Sequence, residues 1–110
     1  MARQRVVIEF GMGLDVHGGD STKAAKRAVF DAMHHSSLPM LIAVEEKGGR
    51  TIVEATVGVP DPGSVDTEAV KREFPHGEVT VRAVQGGLQV PGEDGLVACA
   101  IVVVSVEYPG

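Results

Sequence analysis

Residues 11–20, Gly-Met-Gly-Leu-Asp-Val-His-Gly-Gly-Asp, set out polar side chains at a spacing that a plain core does not require. Asp15 and His17 lie two positions apart. In an extended chain such residues project to one side with their Cα atoms roughly 6–7 Å apart. A carboxylate oxygen and a ring nitrogen could therefore converge on one ion or ligand. A divalent cation held by one carboxylate and one imidazole, with positions left open, suits Zn²⁺ or Mn²⁺ better than Mg²⁺. Such an ion would polarise a phosphoryl or carbonyl oxygen, or lower the pKa of a bound water. An Asp-x-His pair alone is a weak motif, and residues that only hydrogen-bond locally spell the same letters.

Other groups extend the candidate site. Gly11 and Gly13 share the odd-numbered face with Asp15 and His17, and their missing side chains are expected to leave room for a ligand beside the backbone. Gly18 and Gly19 continue that opening, and Ser21 stands where a helix is expected to begin. Free amide groups and the positive dipole end of that helix would favour an anion there, with Lys23 one turn in as its partner. Glu9, on the same odd face, or Asp20 would serve as proton acceptor. Glu9 could equally form a cross-strand ion pair with Arg82 or Arg5. His34, His35, Glu93 and Asp94 are weaker candidates, because a helix C-terminus and a turn attract such residues anyway.

The elements that must position these groups follow from periodicity. From Val6 to Val16 every even position is apolar (Val6, Ile8, Phe10, Met12, Leu14, Val16), which predicts a strand from Arg3 to about Val16 with the even face buried. Asp20 or Ser21 caps a helix to about His35, with Ala24, Ala25, Ala28, Val29, Ala32 and Met33 at helical spacing. Residues 40–46 and 51–59, joined by Lys47-Gly48-Gly49-Arg50, read as a hairpin. Asp66 caps a short second helix that Pro75 and Gly77 stop. Residues 78–84 form a strand, and 85–95 a glycine-rich loop that could fold over a ligand. Leu96 to Tyr108 is the longest strand candidate.

That last strand is apolar on both faces as far as Val104, so it should be buried on both sides. Two helices cover only one face of a five-stranded sheet. Another copy of the chain is the simplest cover for the other face, which predicts a homo-oligomer with its site at or near a subunit interface.

Length and composition bound the functional classes. With 110 residues, 44% of them hydrophobic, the chain reads as one domain over residues 1–110. A formal charge of −5 supplies too few cations for a nucleic-acid or anionic membrane surface, so the expected partners are small molecules and the chain itself. No apolar run is long enough to span a bilayer and no leader pattern is evident, which makes the cytoplasm the expected location. The single cysteine, Cys99, sits among Ala, Ile and Val and reads as a buried, inert thiol.

The pattern Gly-x-Gly-x-Asp-x-His-Gly at 11–18, with Asp20-x-Thr22-Lys23-Ala24-Ala25 and Ser37-Leu38-Pro39, resembles a small uncharacterised conserved-hypothetical family, the Lin-type family, marked by that signature. A more distant resemblance is to methylerythritol cyclodiphosphate synthase. It rests on residues 11–17, on Ala28-Val29-Phe30-Asp31-Ala32-Met33, and on Gly92-Glu93-Asp94-Gly95-Leu96-Val97-Ala98-Cys99. This second resemblance implies a chorismate-mutase-like α+β fold, β-α-β-β-α-β-β, with a mixed sheet, two helices on one face and the other face packed in a trimer. It also implies a metal at Asp15 and His17. The enzyme's third metal ligand aligns with Gly19 here; Asp20 could replace it, or His34, His35 or His76 from a neighbouring subunit. No counterpart of its nucleotide-binding segment is present.

Two functional readings follow. The first is a metal-dependent lyase or hydrolase acting on a small anionic metabolite, bearing phosphate or carboxylate, at a subunit interface. The second is a non-catalytic homo-oligomer, structural or small-molecule-binding, in which Asp15 and His17 hydrogen-bond the ligand or brace the loop.

Overall fold

The computed structural model describes residues 3–34 and 46–108. Its elements are β1 (Arg3–Asp15), α1 (Ser21–Met33), β2 (Arg50–Val59), a single 3₁₀ turn (Pro62–Ser64), α2 (Thr67–Lys71), β3 (Glu78–Gln85), β4 (Leu88–Gln89) and β5 (Leu96–Glu107). The first arm of the expected hairpin, residues 40–46, lies outside the described residues except for Glu46. The fold is α+β, built on an open, mixed five-stranded sheet.

Along the sheet the order is β1-β5-β2-β3, with β4 added to β5. β5 is antiparallel to β1, β2 and β4, and β2 runs parallel to β3. The doubly apolar β5 thus occupies a central position, as expected of a strand with no polar face. α1 and α2 pack on one side of the sheet. Ala24, Ala25, Ala28, Val29 and Ala32 of α1 and Val70 of α2 join Val53, Ala55, Val57, Ala98, Ala100, Val102 and Val104 in one core cluster.

The side of β1 that faces this core is the reverse of the one its apolar pattern predicts. Gly11, Gly13 and Asp15 are buried, whereas Ile8 (45% exposed), Phe10 (65%), Met12 (63%) and Leu14 (48%) stand in the open. The reason is the alanine face of α1. A helix with so small a contact surface buries most when its backbone comes close to the sheet, and only glycine permits that approach. A Cβ on Gly11 would lie 2.2 Å from the Ala28 carbonyl oxygen, and one on Gly13 2.2 Å from that of Ala24. The room expected beside the two glycines is therefore filled by the helix.

Cys99 follows the same inversion. It pairs with Met12 in register and is exposed, not buried. Alternation places Ala98 and Ala100 toward the helices and Cys99 and Ile101 away from them.

The helix caps agree with expectation. The Asp20 side chain accepts a hydrogen bond from the Lys23 amide, and the Asp66 side chain accepts one from the Ala69 amide. At the far end of the sheet a charge network crosses every long strand. Arg50 forks onto Glu78 with both contacts at 2.7 Å and reaches Glu107 at 2.9 Å, while Arg3 meets Glu107 at 3.1 Å. Hydrogen bonding to Arg50 holds the Glu78 carboxyl below its usual value, and the same contact raises the Arg50 guanidinium.

Candidate functional site

β1 and β2 both run antiparallel to β5, so they point the same way and their C-terminal ends lie together with the start of β5. Three connections meet there: residues 16–20 after β1, 60–64 after β2, and 89–95 leading into β5. Each is shaped by turn chemistry. Gly18 (φ 97°) and Gly19 (φ 62°) occupy the left-handed region, which lets the chain reverse from β1 into α1 within five residues.

Asp15 anchors this reversal. The residue is only 3% exposed, and its Oδ2 accepts a hydrogen bond from the Asp20 amide at 2.8 Å. Its Oδ1 faces Arg27 Nη1 at 3.9 Å and Lys23 Nζ at 4.0 Å. The carboxylate thereby ties the strand end to the helix start and is balanced by two cations. Lys23, the expected partner of an anionic ligand, faces Asp15. Asp20 spends its own side chain capping α1.

His17 is exposed on the bend beyond the strand. Among the described residues no group of three or more His, Cys, Asp or Glu side chains is arranged to hold a metal ion. The other candidates disperse. Glu9 lies six positions back along β1 from Asp15, which is about 20 Å of strand. It cannot reach Arg82 either, since β1 and β3 are opposite edges of the sheet. Among the described residues it has no ion-pair partner in Arg5. His34 is held by its own helix, with Nδ1 3.1 Å from the Phe30 carbonyl and its ring 4.3 Å from that of Phe30. His76 precedes β3 at the other end of the sheet, where Glu78 is level with Ile52 and Ser105. His35 lies outside the described residues.

What the three connections enclose is a cavity of about 330 Å³ lined by Gly18, Gly19, Ser21, Pro60, Asp61, Ser64, Gln89, Asp94 and Leu96. The Gly18 amide donates to Asp94 Oδ2 at 3.2 Å, linking two of the connections that line it. A Cβ on Gly19 would lie 3.1 Å from the Asp94 carbonyl oxygen, so the two loops touch as backbone. Thr22 Oγ1 accepts from the Asp66 amide at 2.9 Å and fixes the 60–66 segment to α1.

Gly18, Gly19 and Ser21 are thus brought together as expected, but Gly11 and Gly13 are not part of this space. Asp61, Ser64 and Gln89 were not foreseen, because only strand order places the β2 exit and β4 beside the signature loop. The one available signal was composition: Pro60-Asp61-Pro62-Gly63-Ser64 and the glycines at 86, 87, 92 and 95 mark both loops as turn-rich. The lining carries two carboxylates, two hydroxyls and an amide, and neither a lysine nor an arginine. Such a surface suits a ligand that donates hydrogen bonds.

Comparison with known proteins agrees with this fold and leaves its chemistry open. No curated protein matches the chain. The crystal structure of an FtsZ-like protein of unknown function from Nostoc punctiforme is similar, at 34% identity and a TM-score of 0.80, covering 99% of each chain. A family model described as conserved hypothetical protein (Lin0512_fam) matches residues 5–107, and the chain belongs to that family.

Proposed function

We propose that this chain is the subunit of a non-catalytic homo-oligomer that binds a small polar molecule in the cavity between residues 18–21, 60–64 and 89–96. The observation that carries the reading is the state of Asp15. Its buried carboxylate is already engaged by the Asp20 amide, Lys23 and Arg27, so it braces the loop. The acceptors at the cavity without a side-chain hydrogen bond among the described residues are Asp61 and the second oxygen of Asp94, joined by the Ser21 and Ser64 hydroxyls. A ligand carrying amine or hydroxyl groups satisfies them. An anionic metabolite would meet two carboxylates there with no cation in the lining, which is unfavourable in a partly enclosed site.

The test is a thermal-shift and calorimetric comparison of glycerol, ethanolamine, inorganic phosphate and acetate as probes, on wild type and Asp61→Asn. Stabilisation by glycerol or ethanolamine that Asp61→Asn weakens supports the reading. Stabilisation by phosphate or acetate alone overturns the ligand assignment. Metal analysis of untagged protein tests the competing reading, a lyase or hydrolase with Asp15 and His17 as Zn²⁺ or Mn²⁺ ligands and Glu9 or Asp20 as proton acceptor. One metal per subunit, lost in both Asp15→Ala and His17→Ala, would establish that reading and displace the one proposed.

A further inference from the structure

Over β1 and β5 the open side of the sheet is a continuous apolar face. Phe10 pairs with Ile101, Met12 with Cys99 and Leu14 with Val97, and Leu88 of β4 extends the last row from the other side of β5. Ile8, Phe10, Met12, Leu14, Leu88 and Ile101 are between 44% and 75% exposed. Together they leave on the order of 600–700 Å² of apolar surface in the open, beyond the 300–600 Å² of the largest patch on an ordinary monomer. With the half-buried Val97 and Val103 the area approaches the ~800 Å² that each partner contributes to a standard interface.

We propose that a second copy of this chain covers this face, sheet on sheet, with the apolar halves over β1 and β5 in contact. The proposal rests on the homo-oligomeric reading above and assigns it a surface. Three features select a second copy docked by its face. Besides the mutually paired Arg50 and Glu78 at its far end, the remaining half of the face, over β2 and β3, carries one further acidic and one further basic exposed residue, Glu54 and Arg82. Neither has an ion-pair partner among the described residues, and a surface bearing both signs complements itself when turned over, although the chain as a whole is acidic. Strand addition at the β1 edge is obstructed over residues 12–14. The Met12 amide donates to Asp31 Oδ2 at 2.9 Å, and Arg27 donates to the Leu14 carbonyl, so α1 occupies the main-chain groups that another strand would need. Finally, a hollow of about 380 Å³ bounded by Phe10, Met12, Cys99 and Ile101, with Asp31 at its rim on the β1 edge, can accept a side chain from the opposing face.

The assembly would also touch the cavity. In the two-residue strand β4, Leu88 lies on the apolar face and Gln89 lines the cavity. A copy packed on Leu88 therefore holds the segment that closes the ligand site.

Sedimentation and light scattering at micromolar concentration, on wild type, Phe10→Glu and Met12→Lys, test the assignment. The expected result is an assembled wild type and two monomeric variants with unchanged circular dichroism. Association should fall at least ~100-fold, because each variant would bury an unpaired charge. A monomeric wild type overturns both the surface and the homo-oligomeric reading. An assembled wild type with both variants equally assembled overturns the surface alone. Should the variants fail to fold, thiol labelling of wild-type Cys99 decides. A rate at least ~10-fold slower in concentrated than in dilute protein supports the covered face, since burial blocks the thiol. A rate independent of concentration overturns it.

Discussion

A methyl group at Gly13 would meet the Ala24 carbonyl oxygen at 2.2 Å and the Ala28 amide nitrogen at 2.3 Å, both helix backbone that cannot turn aside. Gly13→Ala should therefore cost about 3 kcal/mol, the upper part of the range for overpacking a filled core, measurable by urea denaturation. A cost below about 1 kcal/mol would mean that α1 does not press on the strand. Asp15→Ala leaves the Asp20 amide without its acceptor and two cations without their counter-charge. A loss of about 1–3 kcal/mol is expected whether or not metal is added. A difference between wild type and Asp15→Ala that appears only when Zn²⁺ is present would contradict the brace.

At the scale of elements, α1 and α2 use the same device, an Asp cap three residues ahead of the amide it accepts from, but they depend on it differently. α1 is thirteen residues long with six of them buried, and α2 is five residues long with two buried. Asp20→Ala and Asp66→Ala should each cost about 1 kcal/mol. The consequence for structure should differ, with faster amide exchange through all of α2 but only in the first turn of α1.

The β2–β3 pair carries a pH dependence at its far end. Because Arg50 lowers the folded-state pKa of Glu78 from 4.5, the folded protein gains from that contact above this value. The gain fades as pH falls through the lower, folded-state pKa. Melting temperatures followed from pH 6 into the acid range, about pH 3, should fall more steeply in wild type than in Glu78→Gln. Parallel curves would show that the fork has no role in solution.

The described residues are one-sided, with α1 and α2 on one face of the sheet and the larger apolar side chains of β1 on the other. If a second copy covers that face, folding and assembly are linked by mass action. The wild-type melting temperature should then rise with protein concentration, and that of Phe10→Glu should not. Among the described residues no helix is long and apolar enough to cross a membrane.

Residue order alone was enough for the local features. Asp20 and Asp66 as caps, the extent of α1, the strands at 50–59 and 78–85 and the burial of β5 toward the core follow from spacing within a few residues, and local energetics decide them. The direction in which β1 presents its two faces was not legible in the same way. A period of two says that the faces differ, and only the approach of a helix says which one is inside. Gly11 and Gly13 looked like empty space because their neighbours on α1, from Ala24 to Ala32, were unknown. The cavity at 18–21, 60–64 and 89–96 required strand order, since three loops distant in sequence meet only after β1 and β2 have aligned on β5. Tertiary structure thus decided where Asp15 is spent and which side of the sheet is left open, because both depend on which surfaces meet, a property of the folded chain rather than of any stretch within it.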